Sequence, residues 1–97
     1  MFHYLPDRVK KDIITYARKH NIQKVILFGS RARGTHASRS DIDLAVSGGD
    51  FDAFFWDIKE KTHTLLMFDV INLDTRISDE LKEEIERDGI TIYEKIR

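Results

Sequence analysis

The sequence predicts an α/β (α+β) fold, a small mixed β-sheet with helices packed against it. Three observations lead there. Apolar residues recur at helical spacing in some segments and at strand spacing in others, in the order α-β-turn-β-α-β-α-β. The length, 97 residues, accommodates one domain, taken as 1–97. Cysteine is absent, so neither disulfides nor a thiolate zinc site organises the fold.

The elements follow in order. A first helix is expected over roughly 6–20, because Val9, Ile13, Tyr16, Ala17 and His20 fall on one stripe. Pro6 suits its first turn, where a missing N–H loses no bond, and Asn21 stops it. Residues 24–29, Lys-Val-Ile-Leu-Phe-Gly, are apolar on both faces and too short for a helix, which predicts a buried strand. The polar stretch 29–40 holds two glycines and three arginines and reads as a loop with one helical turn. Residues 41–46 alternate as a strand, with Ile42, Leu44 and Val46 on one side and Asp41, Asp43 and Ala45 on the other. Gly48-Gly49 ends it. Asp50 is positioned to cap a helix over roughly 51–63 with Phe51, Phe54, Phe55 and Ile58 on its inner face. Trp56 lies about 150° from the centre of that stripe at 100° per residue, pointing to a binding surface or to packing along a neighbouring loop. A strand over 67–73 follows, then a helix over about 79–88. Ser78 caps this helix, Asp79 and Glu80 complement its dipole, and Gly89 closes it. A short strand over 90–93 completes the order.

Composition narrows the function. Sixteen Lys and Arg against 17 Asp and Glu give a net charge of −1, without the basic excess of a general nucleic-acid binder, so no direct nucleic-acid contact is expected. No uninterrupted apolar run exceeds four residues, against about 20 for a membrane span. The first residues lack the basic-then-apolar order of a signal peptide, and a cytoplasmic location is expected. A chain this short buries only roughly 60–65% of its unfolded surface, which favours leaning on a partner.

The chemistry concentrates between Gly29 and Asp43. Asp41 and Asp43, two apart on a strand, project like charges from one face, and such pairs repel. A hard divalent cation such as Mg²⁺ removes the conflict; the alternative is an edge strand with a solvated polar face. Asp69 is an acid inside the otherwise apolar strand Met67-Phe-Asp-Val-Ile71. If that strand neighbours 41–46, three carboxylates converge and can hold two metal ions roughly 3.5–4 Å apart, the spacing used for in-line displacement at phosphorus. Clustered acids also disfavour one another's ionisation, so at least one should titrate high. Asp74, past the strand, reads as a turn residue. Gly29-Ser30 directly follows the first strand, where a glycine admits backbone N–H groups to a phosphate and Ser30 adds a hydroxyl. The alternative for Gly29 is a plain turn glycine. The lysine of a Walker loop is missing, which excludes ordinary P-loop chemistry. Among Arg31, Arg33 and Arg39, one is expected to contact a phosphate or an acidic partner, the others being solvated loop charges. His36 reads as a loop residue, and His3, His20 and His63 show no ligand spacing.

Gly-Ser, ten residues, then Asp-X-Asp resembles the signature of the DNA polymerase β-like nucleotidyltransferase superfamily. The filler Arg-Ala-Arg-Gly and the Ser40-Asp-Ile-Asp-Leu44 core resemble its smallest branch, the minimal nucleotidyltransferase (MNT) proteins. Phe68-Asp-Val-Ile71 resembles the strand of the family's third acid, and 78–93 its closing helix and strand, so the likeness spans roughly 22–94. The resemblance implies a polymerase β-like nucleotidyltransferase core. It implies that Asp41 and Asp43 bind two Mg²⁺ ions and the triphosphate, and that Asp69 binds the catalytic metal and helps deprotonate the attacking hydroxyl. It implies that Gly29 and Ser30 hold the terminal phosphates, and Arg31, Arg33 and Ser40 join them as candidate nucleotide-binding positions. It further implies transfer of a nucleoside monophosphate, such as AMP from ATP, and an antitoxin role against an all-helical HEPN partner. Two other readings use the same residues: a module that inhibits a helical partner by contact alone, and a metal-dependent phosphohydrolase with water as nucleophile.

Overall fold

The computed structural model describes residues 4–96, so His3 lies outside the described residues. The elements are α1 (Asp7–Lys19), β1 (Lys24–Phe28), α2 (Gly29–Arg33), β2 (Ile42–Ser47), α3 (Phe51–Lys61), β3 (Phe68–Asn72), α4 (Asp79–Asp88) and β4 (Ile90–Glu94). The sheet has the order β3-β2-β1-β4. It is mixed, with β2 parallel to β3 and β1 antiparallel to both β2 and β4. This is the expected α+β architecture.

Local chemistry sets the boundaries. Pro6 stands just outside α1 as its N-cap, in extended geometry, and its carbonyl accepts the Lys10 N–H at 3.1 Å. Proline therefore leads into the helix rather than occupying its first turn. At the other end Asn21 adopts a left-handed φ of 58°, and the N–H groups of Asn21 and Ile22 return to the carbonyls of Arg18 and Ala17. That is a Schellman termination, with asparagine where glycine is commonest. The Asp50 and Ser78 side chains accept the N–H groups of Ala53 and Leu81, at 3.2 and 3.1 Å, and so cap α3 and α4. Gly89 closes α4 in extended rather than left-handed geometry; a Cβ there would strike the Ile85 carbonyl.

The parallel β2–β3 pair needs a crossover, which α3 supplies. It packs on one sheet face beside α1, burying Val9, Ile13, Ala17, Phe54 and Ile58 against Val25, Leu27, Leu44, Val46 and Val70. The opposite face is thinner. Phe28, Ala45 and Ile85 form its buried core, flanked by Ile26, Ile71, Leu73, Ile77 and Leu81. This second face carries the acids, and only α2 and α4 shield it.

Two buried acids tie α1 to α3, and neither was anticipated from the sequence. His20 Nε2 donates to Asp57 Oδ2 at 2.6 Å, and His63 donates to Asp12 Oδ2 from both its backbone N–H and Nδ1 at 2.9 Å. The His20 hydrogen bond pulls the Asp57 carboxyl down to about 2 against the opposing effect of burial. Burial pushes Asp12 up, but the His63 bonds and the charges of His63 and Arg8 outweigh it and leave the carboxyl below its ordinary value. His20 and His63, which showed no ligand spacing, are thus helix-to-helix ties.

Candidate active site

The site forms where β1 ends and β2 begins. Antiparallel register sets Phe28 opposite Asp43, and parallel register sets Asp43 opposite Asp69. Residues opposite one another share a face, so Asp43 and Asp69 point the same way. Asp41 precedes β2, which starts one residue later than the alternation suggested. It is exposed at the same corner, and its charge acts on Asp43. The register therefore puts Asp43 and Asp69 on one face, with Asp41 near enough for its charge to act on Asp43. Asp74 stands elsewhere, accepting the Gly48 N–H at 2.7 Å beyond the far end of β2, as a turn residue should.

Asp43 is the half-buried member of the trio and Asp69 the exposed one. Burial, then the charges of Asp69, Asp41 and Glu84, push the Asp43 carboxyl up to about 6, while Arg33 opposes. One clustered acid titrates high, as the sequence implies, with burial rather than the neighbouring acids as the largest cause. Gly29 fits against this carboxylate with φ of 75°, and a Cβ on it would collide with Asp43 Oδ2. A side chain at position 29 is thus excluded both by backbone conformation and by the acid beside it.

The remaining candidates divide. Ser30 lies partly exposed in the first turn of α2, and its carbonyl accepts the Thr35 N–H at 3.0 Å. Arg33 faces α4, with Nη1 3.8 Å from Glu84 and 3.7 Å from Asp88. Ser40 Oγ accepts the Ala37 N–H at 2.9 Å and closes the turn before Asp41. Arg31 is buried and donates to the backbone carbonyls of Tyr4, Ser38 and Ser40. Its guanidinium is engaged with the protein itself, a task different from the phosphate contact suggested for it. Arg39 lines a groove of about 480 Å³ with Thr64, Leu65, Leu66 and Met67. A depression of about 530 Å³ around Lys24, Leu73 and Lys82 contains none of the candidate residues.

Among the described residues, no three His, Asp or Glu side chains close around a single point. The expected convergence of three carboxylates is thus not closed: the register aligns Asp43 with Asp69, and Asp41 stands before the strand, outside that register. Their chemistry fits hard divalent cations, since all three offer carboxylate oxygens and the half-buried Asp43 is poorly compensated when ionised. No helix among the described residues is long and apolar enough to cross a membrane.

The sequence matches the family described as Polymerase beta, Nucleotidyltransferase over residues 11–97. No curated protein sequence matches it. Among solved structures, a toxin-antitoxin with AMP-PNP superposes with a TM-score of 0.69 at 26% identity, covering 89% of this chain and 73% of that one. A mutant of the toxin-antitoxin MntA-HpeT gives 0.68 at 26% identity, covering 89% and 72%. A protein from Shewanella oneidensis gives 0.66 at 15% identity, covering 94% and 74%, a likeness of fold alone.

Proposed function

The chain belongs to the polymerase beta nucleotidyltransferase family, and from that premise we propose that it transfers a nucleoside monophosphate, AMP from ATP, to a hydroxyl on a helical HEPN-type partner. In this role it is the cytoplasmic antitoxin of a two-protein system. The observation that carries the reading is the register that aligns Asp43 with Asp69 beside Asp41, with Gly29 fitted against Asp43. The likeness to toxin-antitoxin structures, one of them with AMP-PNP, supports the nucleotide and the partner.

In this mechanism Asp41, Asp43 and Asp69 are the residues that would hold two Mg²⁺ ions, and the ions would supply positive charge against the triphosphate. Gly29 and Ser30 receive the terminal phosphates through backbone N–H groups and the Ser30 hydroxyl. Arg33 stands near enough for its charge to act on Asp43 and supplies positive potential on the α4 side. Asp69, on an edge strand and exposed, takes the proton from the acceptor hydroxyl. The hydroxyl oxygen then bonds to the α-phosphorus as the bond to the β-phosphate oxygen breaks, and pyrophosphate leaves. The partner holds its hydroxyl in line with that bond, the positioning on which such a displacement depends.

The experiment follows the phosphorus. With Mg²⁺ and ATP labelled at the α-phosphate, label should move to the partner; with γ-label it should leave in pyrophosphate. Release of labelled phosphate without labelling of protein would favour hydrolysis. An unlabelled partner that is still inhibited would favour contact alone.

A further inference from the structure

Arg31 lies between the Gly29-Ser30 turn and the segment leading to Asp41. It is 3% exposed. Its Nε and Nη2 fork onto the Ser40 carbonyl at 3.1 and 2.9 Å. Nη2 also donates to the Ser38 carbonyl at 3.1 Å, and Nη1 to the Tyr4 carbonyl at 3.2 Å. Residues 34–41 contain no helix or strand, so no ladder fixes their path. Ser40 is bonded to Asp41, and Arg31 is two residues from Gly29. The guanidinium therefore connects the turn proposed to receive phosphate to the first acid proposed to bind metal. A planar fork suits this task, because it directs several donors at once, whereas lysine offers a single charged point.

We infer that Arg31 is a positioning residue that holds Asp41 against the Gly29-Ser30 turn through the Ser38 and Ser40 carbonyls, and so sets the affinity for a Mg²⁺–nucleoside triphosphate without touching it. The inference rests on the nucleotidyltransferase reading above. Residues that orient metal ligands typically change affinity by about 10–100-fold when replaced, and a loss in that range is expected here. The buried side of the clamp also reaches Tyr4, so the segment before α1 is held by the same group.

The test compares wild type, Arg31→Met and Arg31→Lys by amide hydrogen exchange and by calorimetric titration with Mg²⁺–ATP. Exchange should quicken across 35–41 in Arg31→Met while α1 and α3 keep wild-type protection, and the dissociation constant should rise at least about 10-fold. Arg31→Lys, which keeps the charge and loses the fork, should fall between the two. A lysine variant indistinguishable from wild type would overturn the fork, and unchanged affinity in both variants would overturn the positioning role. Loss of protection throughout both variants would mark Arg31 as a general stabiliser and equally overturn it. If wild type itself binds no Mg²⁺–ATP, the functional reading fails and carries this inference with it. Failure of the variants alone to differ leaves that reading standing.

Discussion

Gly29 and Asp43 constrain each other. The glycine must hold φ of 75°, and its missing side chain is the space the Asp43 carboxylate fills. Gly29→Ala should therefore lower the melting temperature, with a backbone penalty of about 1–2 kcal/mol before any displacement of Asp43, and should weaken ATP binding measured by titration. Asp43 gives a signed pH prediction. Its folded value of about 6 lies above the ordinary 3.8, so protonation favours the folded state. That contribution is complete below pH 4 and lost as pH rises through 6. Asp43→Asn carries no charge at any pH, so its advantage over wild type should grow between pH 4 and 6 and level off above. The plateau should be on the order of 1–2 kcal/mol in metal-free buffer after allowance for screening, read from melting curves across pH. Sequence made these residues legible because glycine, serine and paired aspartates at fixed spacing carry meaning by type. The tasks of Arg31 and Ser40 were hidden because they bond to backbone groups, whose positions leave no trace in residue identity.

Between elements, the α1–α3 pair is held by apolar packing and by its two His–Asp ties. Phe54 is fully buried between these helices and the sheet, so Phe54→Ala should cost about 3–5 kcal/mol by denaturant unfolding. Asp57→Asn should cost about 1–2 kcal/mol near neutrality. Because the folded Asp57 carboxyl lies near 2, below its ordinary 3.8, this stability is present above about pH 4 and fades as pH falls through 2. The element order and both side-chain caps were legible, since periodicity and cap residues act within a few positions of one another. Terminating α1 at Asn21 was legible for the same reason. The His–Asp ties were not, because the partners lie 37 and 51 residues apart in the chain. The start of β2 at Ile42 was missed by one residue, because alternation continues through Asp41 while the ladder with Met67 begins at the Ile42 N–H.

Across the whole molecule, one sheet face is sealed by two helices and the other keeps its acids toward solvent. Trp56 is 57% exposed, as its place on α3 predicts, and Leu65 and Met67 are exposed beside Arg39. If Trp56 meets the partner, Trp56→Ala should leave the free energy of unfolding within about 0.5 kcal/mol of wild type and weaken partner affinity in a pull-down titration. The central claim assigns different work to three neighbouring acids. Asp41 and Asp43 bind the metal–triphosphate, whereas Asp69 also acts on the hydroxyl. The most direct test is the intact mass of the partner after incubation with Mg²⁺–ATP and either wild type or Asp69→Asn, paired with the ATP affinity of each. Wild type should add AMP units to the partner, and Asp69→Asn should add none while binding ATP nearly as well. A partner modified equally by both proteins, or by neither, would contradict the account.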